Sequence, residues 1–189
     1  MPLLFELDPP GNATVLPAGV DLVIEEAPYT DLSDDGLYRY LLRKPLPHLP
    51  GVPRKVVGFV MLNPSDGTAT VKDPTLGRVY DFSRRDGGTV SMVANLFGYR
   101  SSEPTDLLHV VDPVGPRNDE AIERLAKESD IVIVAWGGKF RYDRRPPPIG
   151  GRDLAVLDIL LAHHERVYCL GRNLGSGQPN HPLYQRGDT

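Results

Sequence analysis

From residue 56 onward the chain alternates between short, wholly apolar runs and longer segments with apolar residues at helical spacing. Residues 56–63, VVGFVMLN, are apolar almost throughout, the pattern of a strand buried on both faces. Residues 73–87 follow, with Leu76, Val79, Tyr80 and Phe82 spaced along one helix face. Asp73 stands where an N-cap is needed, and Pro74 suits the first turn. Residues 89–97 predict the next strand. Residues 115–130 predict a helix with Ile122, Leu125 and Ala126 inward and Asp119 and Glu120 in its first turn, where the helix dipole favours acids. Residues 131–138 predict a third buried strand, 153–165 a helix and 166–171 a fourth strand.

This alternation argues a parallel sheet covered by helices on both faces. The expected fold is therefore α/β: a three-layer α/β/α sandwich around a central, mostly parallel four-stranded sheet, with an N-terminal β extension. Residues 1–54 form that extension: a strand at 20–26, a strand or short helix at 34–44, and a proline-rich loop at 45–55 where ring nitrogens remove ladder donors. Residues 55–189 form the core, and the whole is expected to be one compact domain.

Composition narrows the function classes. The 189 residues carry a net charge of -4, so a broad basic field for non-specific nucleic-acid binding is absent. Basic residues instead concentrate in residues 137–152, where Lys139, Arg141, Arg144, Arg145 and Arg152 interleave with Phe140 and Tyr142. Such a loop suits a phosphate backbone, or is a solvated loop stiffened by prolines. The single cysteine, Cys169, sits in an apolar run and reads as a small core residue, which fits a cytoplasmic chain. No leader or membrane-spanning run is apparent, so a soluble protein without a membrane partner is expected, and a monomer. Five scattered histidines predict no metal site, and no cofactor motif is present.

In open parallel sheets ligands bind at the carboxyl ends of the strands. Those ends carry Asn63-Pro64-Ser65, then Asn95 with Phe97, Tyr99 and Arg100, then Trp136-Gly137-Gly138, and His181-Pro182 lies in the irregular tail. Neither a nucleotide-kinase phosphate loop nor a serine-hydrolase elbow follows any strand. Amides with aromatic residues suit a planar heterocycle: the ring stacks, and the amide pairs with its edge. Set against this are blander roles. Phe97 and Trp136 are more often core, and Asn95 could simply bond the strand turn.

The segments YRYLLRK, VMLNPS, DPTLGR, ANLFGYRSSEP, DPVGPRND, AWG and HPLY together resemble an uncharacterised bacterial and phage family, domain-of-unknown-function family 1643, over residues 38–189. More distantly, the chain is similar to the uracil-DNA glycosylase superfamily. Asn63-Pro64 matches the Asn-Pro of the mismatch-specific branch, Asn95 the base-reading Asn, Trp136-Gly137 the third-strand ending, and His181-Pro182 the final His-Pro. Ser65 and Leu183 depart from that pattern.

This second resemblance implies a DNA-repair hydrolase breaking an N-glycosidic bond of a uracil-type or damaged base. Asn63 would position water, His181 would stabilise the departing base, and Asp73 would supply a carboxylate if it is not merely a helix cap. Pro64, Ser65, Asn95, Phe97, Tyr99 and Trp136 would hold the base, and Arg100, Lys139, Arg141, Arg144 and Arg145 the phosphates of DNA. Alternatives are a non-catalytic nucleotide or modified-base binder, a hydrolase of free nucleosides or nucleotides, or an interaction module.

Overall fold

The apolar runs become adjacent strands, and the segments between them become the helices that cover both faces. A computed structural model of the protein describes residues 4–6, 21–65, 73–138 and 149–185. Its strands are β1 (Leu4–Glu6), β2 (Tyr29–Leu32), β3 (Arg39–Pro45), β4 (Val56–Met61), β5 (Val90–Asn95), β6 (Ile131–Val134) and β7 (Val167–Cys169). The helices are α1 (Pro74–Arg85), α2 (Asn118–Glu128) and α3 (Arg152–Leu161). All seven strands join one sheet in the order β1-β7-β6-β4-β5-β3-β2.

The four expected strands, β4 to β7, lie side by side and parallel. The sheet is nevertheless larger than the four strands read from the sequence. β1 adds a parallel edge beside β7, and β3 and β2 extend the other side antiparallel. The N-terminal segment thus contributes strands to the main sheet. The ambiguous stretch at 34–44 is strand β3, whose residues 39–42 are all buried. The strand expected at 20–26 does not form in its described part. Val23 makes only an isolated bridge to His48, while Leu22 and Ile24 stay exposed and gain no burial from further pairing. The edge strand is β2 instead.

Alternation along β4 sorts the two cores. Val57, Phe59 and Met61 pack with Leu76, Val79 and Phe82 of α1. Val56 and Val60 face the other way, toward Ile122 and Leu125 of α2 and Val156, Leu157 and Leu160 of α3. One helix therefore covers one face and two cover the other. α1 starts where Asp73 accepts the Leu76 N–H at 2.9 Å, with Pro74 inside the first turn.

This topology locates the site. Strands β4 and β6 are neighbours, yet the chain leaves β4 for α1 on one face and β6 for α3 on the other. Divergence of that kind opens a crevice beyond the carboxyl ends of the two strands. Asn63 and Trp136 stand just past those ends.

Candidate functional site

A cavity of about 480 Å³ occupies this crevice, within the range of small-molecule sites. Six residues singled out by sequence line it together: Asn63, Ser65, Asp73, Asn95, Trp136 and His181. They come from the ends of β4, β5 and β6, the cap of α1 and the C-terminal tail.

Each side chain is held by a partner that limits what it can offer. Asn63 donates from Nδ2 to the Ser101 carbonyl at 2.7 Å, which leaves its Oδ1 as the atom suited to accept from a ligand or water. Ser65 donates from Oγ to Asp73 Oδ2 at 2.8 Å, and Asp73 Oδ1 takes the Leu76 N–H. Burial pushes the Asp73 carboxyl up, but the hydrogen bonds from Leu76, Ser65 and Thr75 and the charge of Arg39 together hold it below the ordinary range. Asp73 is therefore an ionised carboxylate at neutral pH and a weak proton acceptor. The cap role and the cavity position coincide in one residue.

Asn95 ends β5 with 1% of its surface exposed. Its backbone carbonyl accepts from Asn118 Nδ2 at 3.0 Å, and the same amide reaches the Leu96 carbonyl at 3.1 Å. Its own Nδ2 is buried and meets no hydrogen-bond partner among the described residues. A buried amide donor without an acceptor costs about 1–3 kcal/mol. On the wall of a cavity, that cost marks a place for a ligand acceptor.

Trp136 is both core and wall. Its Nε1 donates to Gln178 Oε1 at 2.9 Å, and Gln178 Nε2 donates to Asp153 Oδ2 at 3.2 Å. This buried chain ties β6, the tail and the first turn of α3. The tail can close over β6 because residue 137 is glycine. Its φ is +78°, and a Cβ there would lie 3.2 Å from His181 Cβ. His181 caps the short 3₁₀ turn Pro182–Tyr184, its Nδ1 accepting the Leu183 N–H at 3.3 Å. The neutral ring then carries its proton on Nε2, a donor. Arg78 of α1 anchors the tail at Gln185 by donating to its carbonyl.

Other expected site residues lie elsewhere. Phe97 is fully buried in the core, its N–H donated to the Leu62 carbonyl at 3.0 Å. Tyr99 packs edge-on to Tyr38, with ring centroids 5.9 Å apart. Pro64 is buried, its carbonyl accepting the Ser101 N–H at 2.9 Å. Arg100 donates from Nη1 to the Gly36 carbonyl at 2.9 Å and does not line the cavity. Lys139, Arg141, Arg144 and Arg145 lie outside the described residues.

Arg39, Asn173, Asn180 and Tyr184 also line the cavity, although sequence reasoning passed over them. Arg39 begins β3, which runs antiparallel to β5, so the start of this strand lies beside the carboxyl ends of the parallel ones. It is 3% exposed. Burial and then the charge of Arg100 pull its guanidinium down to about 10, against the raising influence of Asp73 and Tyr80.

Among the described residues no group of three or more His, Cys, Asp or Glu could hold a metal ion. No helix among them is long and apolar enough to cross a membrane. In comparison with known proteins, residues 39–183 match the family described as protein of unknown function DUF1643. No curated protein and no solved structure matches the chain.

Proposed function

The chain belongs to the DUF1643 family, whose description carries no activity, and from the cavity itself we propose that the protein binds a nucleobase and hydrolyses its N-glycosidic bond. The observation that carries this reading is the convergence of Asn63, Asn95 and His181 on one cavity. The order of those motifs along the chain and the layered parallel core are what a uracil-DNA-glycosylase-like sandwich would require. The base would lie against Trp136, with the Asn95 amide on its polar edge. As the C1′–N bond breaks, the base leaves with the bonding pair and the sugar acquires oxocarbenium character. A donor on His181 would stabilise the anionic base, a role worth about 3 kcal/mol by analogy with an oxyanion-hole donor. Asn63 Oδ1 would hold the water that adds to C1′, and the water's proton would pass to the departing base. Asp73, ionised and tied down, would stabilise the cationic sugar rather than take a proton.

The test is base release by the intact protein from oligonucleotides bearing uracil or damaged bases, and from free nucleosides and nucleotides. Release should fall at least 100-fold in His181→Ala and in Asn63→Ala. A wild-type protein that releases no base from any member of the panel overturns the catalytic reading. One observation favours the non-catalytic alternative: the described carboxylate on the wall, Asp73, has both oxygens hydrogen-bonded and a lowered pKa, which makes it a weak general base. Ligand binding without turnover would then be the whole activity.

A further inference from the structure

Resting on the base-binding reading above, we infer that Gln178, which stands behind the cavity wall, is a positioning residue for the site. With Asp153 it sets the plane of Trp136 and the course of the tail residues that line the cavity. Gln178 and Asp153 are both buried, and neither lines the cavity itself.

Hydrogen-bond chemistry gives this chain one direction. An indole N–H can only donate, so the Gln178 amide has to turn its oxygen to Trp136 Nε1, as it does at 2.9 Å. Its Nε2 is left for Asp153 Oδ2 at 3.2 Å, and an ionised carboxylate can only accept. Flipping the amide would set donor against donor and acceptor against acceptor. Trp136 in turn commits its N–H inside the protein and meets a ligand as an apolar ring.

The Gln178 backbone carries the same constraint into the tail. Its carbonyl accepts the Asn173 N–H at 2.8 Å, and its N–H donates to Ser176 Oγ at 3.3 Å. Asn173 Oδ1 takes the Gly175 and Ser176 N–H groups at 3.0 and 3.1 Å. The turn over 173–178 is thus closed by its own bonds and tied to Trp136 by the Gln178 side chain. It lies against the end of β6, where a Cβ on Gly138 would run into Ser176 Oγ. Asn173 lines the cavity at the start of this turn, and Asn180 and His181 line it just beyond.

Energetics argues against a role in stability alone. Burying a carboxylate is expensive, and well-packed apolar residues of similar volume are often as stable or more so. What a satisfied polar chain adds is a single geometry. Here that geometry is imposed on a residue of the cavity wall.

The experiment is a double-mutant cycle between Gln178→Glu and Asp153→Asn, with melting curves to confirm folding. Two readouts are taken. One is calorimetric affinity for the common nucleobases and their nucleosides. The other is the emission spectrum of the unliganded protein, which reports Trp136 because the sequence holds one tryptophan. Gln178→Glu sets a carboxylate against Asp153. It should displace the emission and weaken binding about tenfold or more, the loss typical when a partner that orients a binding group is removed. Adding Asp153→Asn to Gln178→Glu supplies the missing donor, and should recover most of the affinity and return the emission toward wild type. Additive losses in the double variant, or wild-type affinity or emission in Gln178→Glu, overturn the positioning role and leave the base-binding reading standing. If Gln178→Glu does not fold, Asp153→Leu removes the acceptor with Gln178 in place. Loss of affinity with a displaced emission in that variant sustains the role, and wild-type values of either overturn it. A wild-type protein that binds no base or nucleoside sinks the base-binding reading itself, and the positioning role with it.

Discussion

Ser65 Oγ donates to Asp73 Oδ2 at 2.8 Å, while the other Asp73 oxygen caps α1 through the Leu76 N–H. The carboxylate thereby fixes the start of a helix and the turn that ends β4 on the same cavity wall. Its folded pKa lies below the ordinary 3.8. The stability it contributes is thus fully present above that ordinary value and is lost as pH falls through the lower folded value. Asp73→Asn keeps a capping oxygen but no charge. Urea midpoints of the two proteins should differ at neutral pH and converge as pH falls through the lowered folded value of Asp73, and Asp73→Ala should lose about 1 kcal/mol at neutral pH. A wild-type advantage over Asp73→Asn that persists unchanged in acid would show that the charge is not responsible.

A second expectation concerns the packing of β4 on α2. Gly58 has no side chain where a Cβ would meet Ser129 Oγ at 2.4 Å and Leu125 Cδ2 at 2.7 Å. Gly58→Ala gains about 0.4–1 kcal/mol from a less flexible unfolded chain, but overpacking costs about 1–3 kcal/mol. The net effect should be destabilising by about 1–2 kcal/mol. Ser129→Ala removes the closer of the two atoms, so it should recover part of the loss in the double variant. Strict additivity of the two substitutions in chemical denaturation would rule out the contact as the cause.

The parallel core was legible because its strands are buried on both faces and its helices keep one apolar stripe. Much of the cavity was legible for a related reason: strand ends in such sheets are where ligands bind, and Asn63, Asn95 and Trp136 occupy strand ends. Phe97 shows where this logic fails. The strand expected over 89–97 ends at Asn95, so Phe97 lies beyond the last ladder pair, where strand alternation no longer sets which way a side chain faces. Arg39 was missed because inspecting only the residues after each strand overlooks an antiparallel strand, whose first residue lies at the same rim. Asn173 and Asn180 sit in an irregular tail, where no periodicity records which way a side chain faces.

The last expectation separates structural from ligand-binding amides. Asn95 and Asn118 are both asparagines with almost no exposed surface, and both leave an amide atom unpartnered. They differ in what the Nδ2 does. That of Asn118 donates to the Asn95 and Leu96 carbonyls, whereas that of Asn95, a residue lining the cavity, meets no acceptor among the described residues. Replacing each by leucine keeps approximate volume and removes the amide. Asn118→Leu takes its donor from the buried Asn95 carbonyl, while the Leu96 carbonyl keeps Arg152 Nε at 2.7 Å, and should cost about 1–3 kcal/mol. Asn95→Leu relieves a desolvated donor and should leave stability unchanged or raise it by about 1 kcal/mol, because an apolar replacement of an unpaired polar group is neutral or stabilising. The same substitution should abolish ligand binding, as expected where a site holds polar groups ready at the expense of stability. Melting curves of the two variants, read beside nucleoside binding, decide the matter. If Asn95→Leu proves as destabilising as Asn118→Leu, the Asn95 amide supports the fold and is not held in reserve for a ligand.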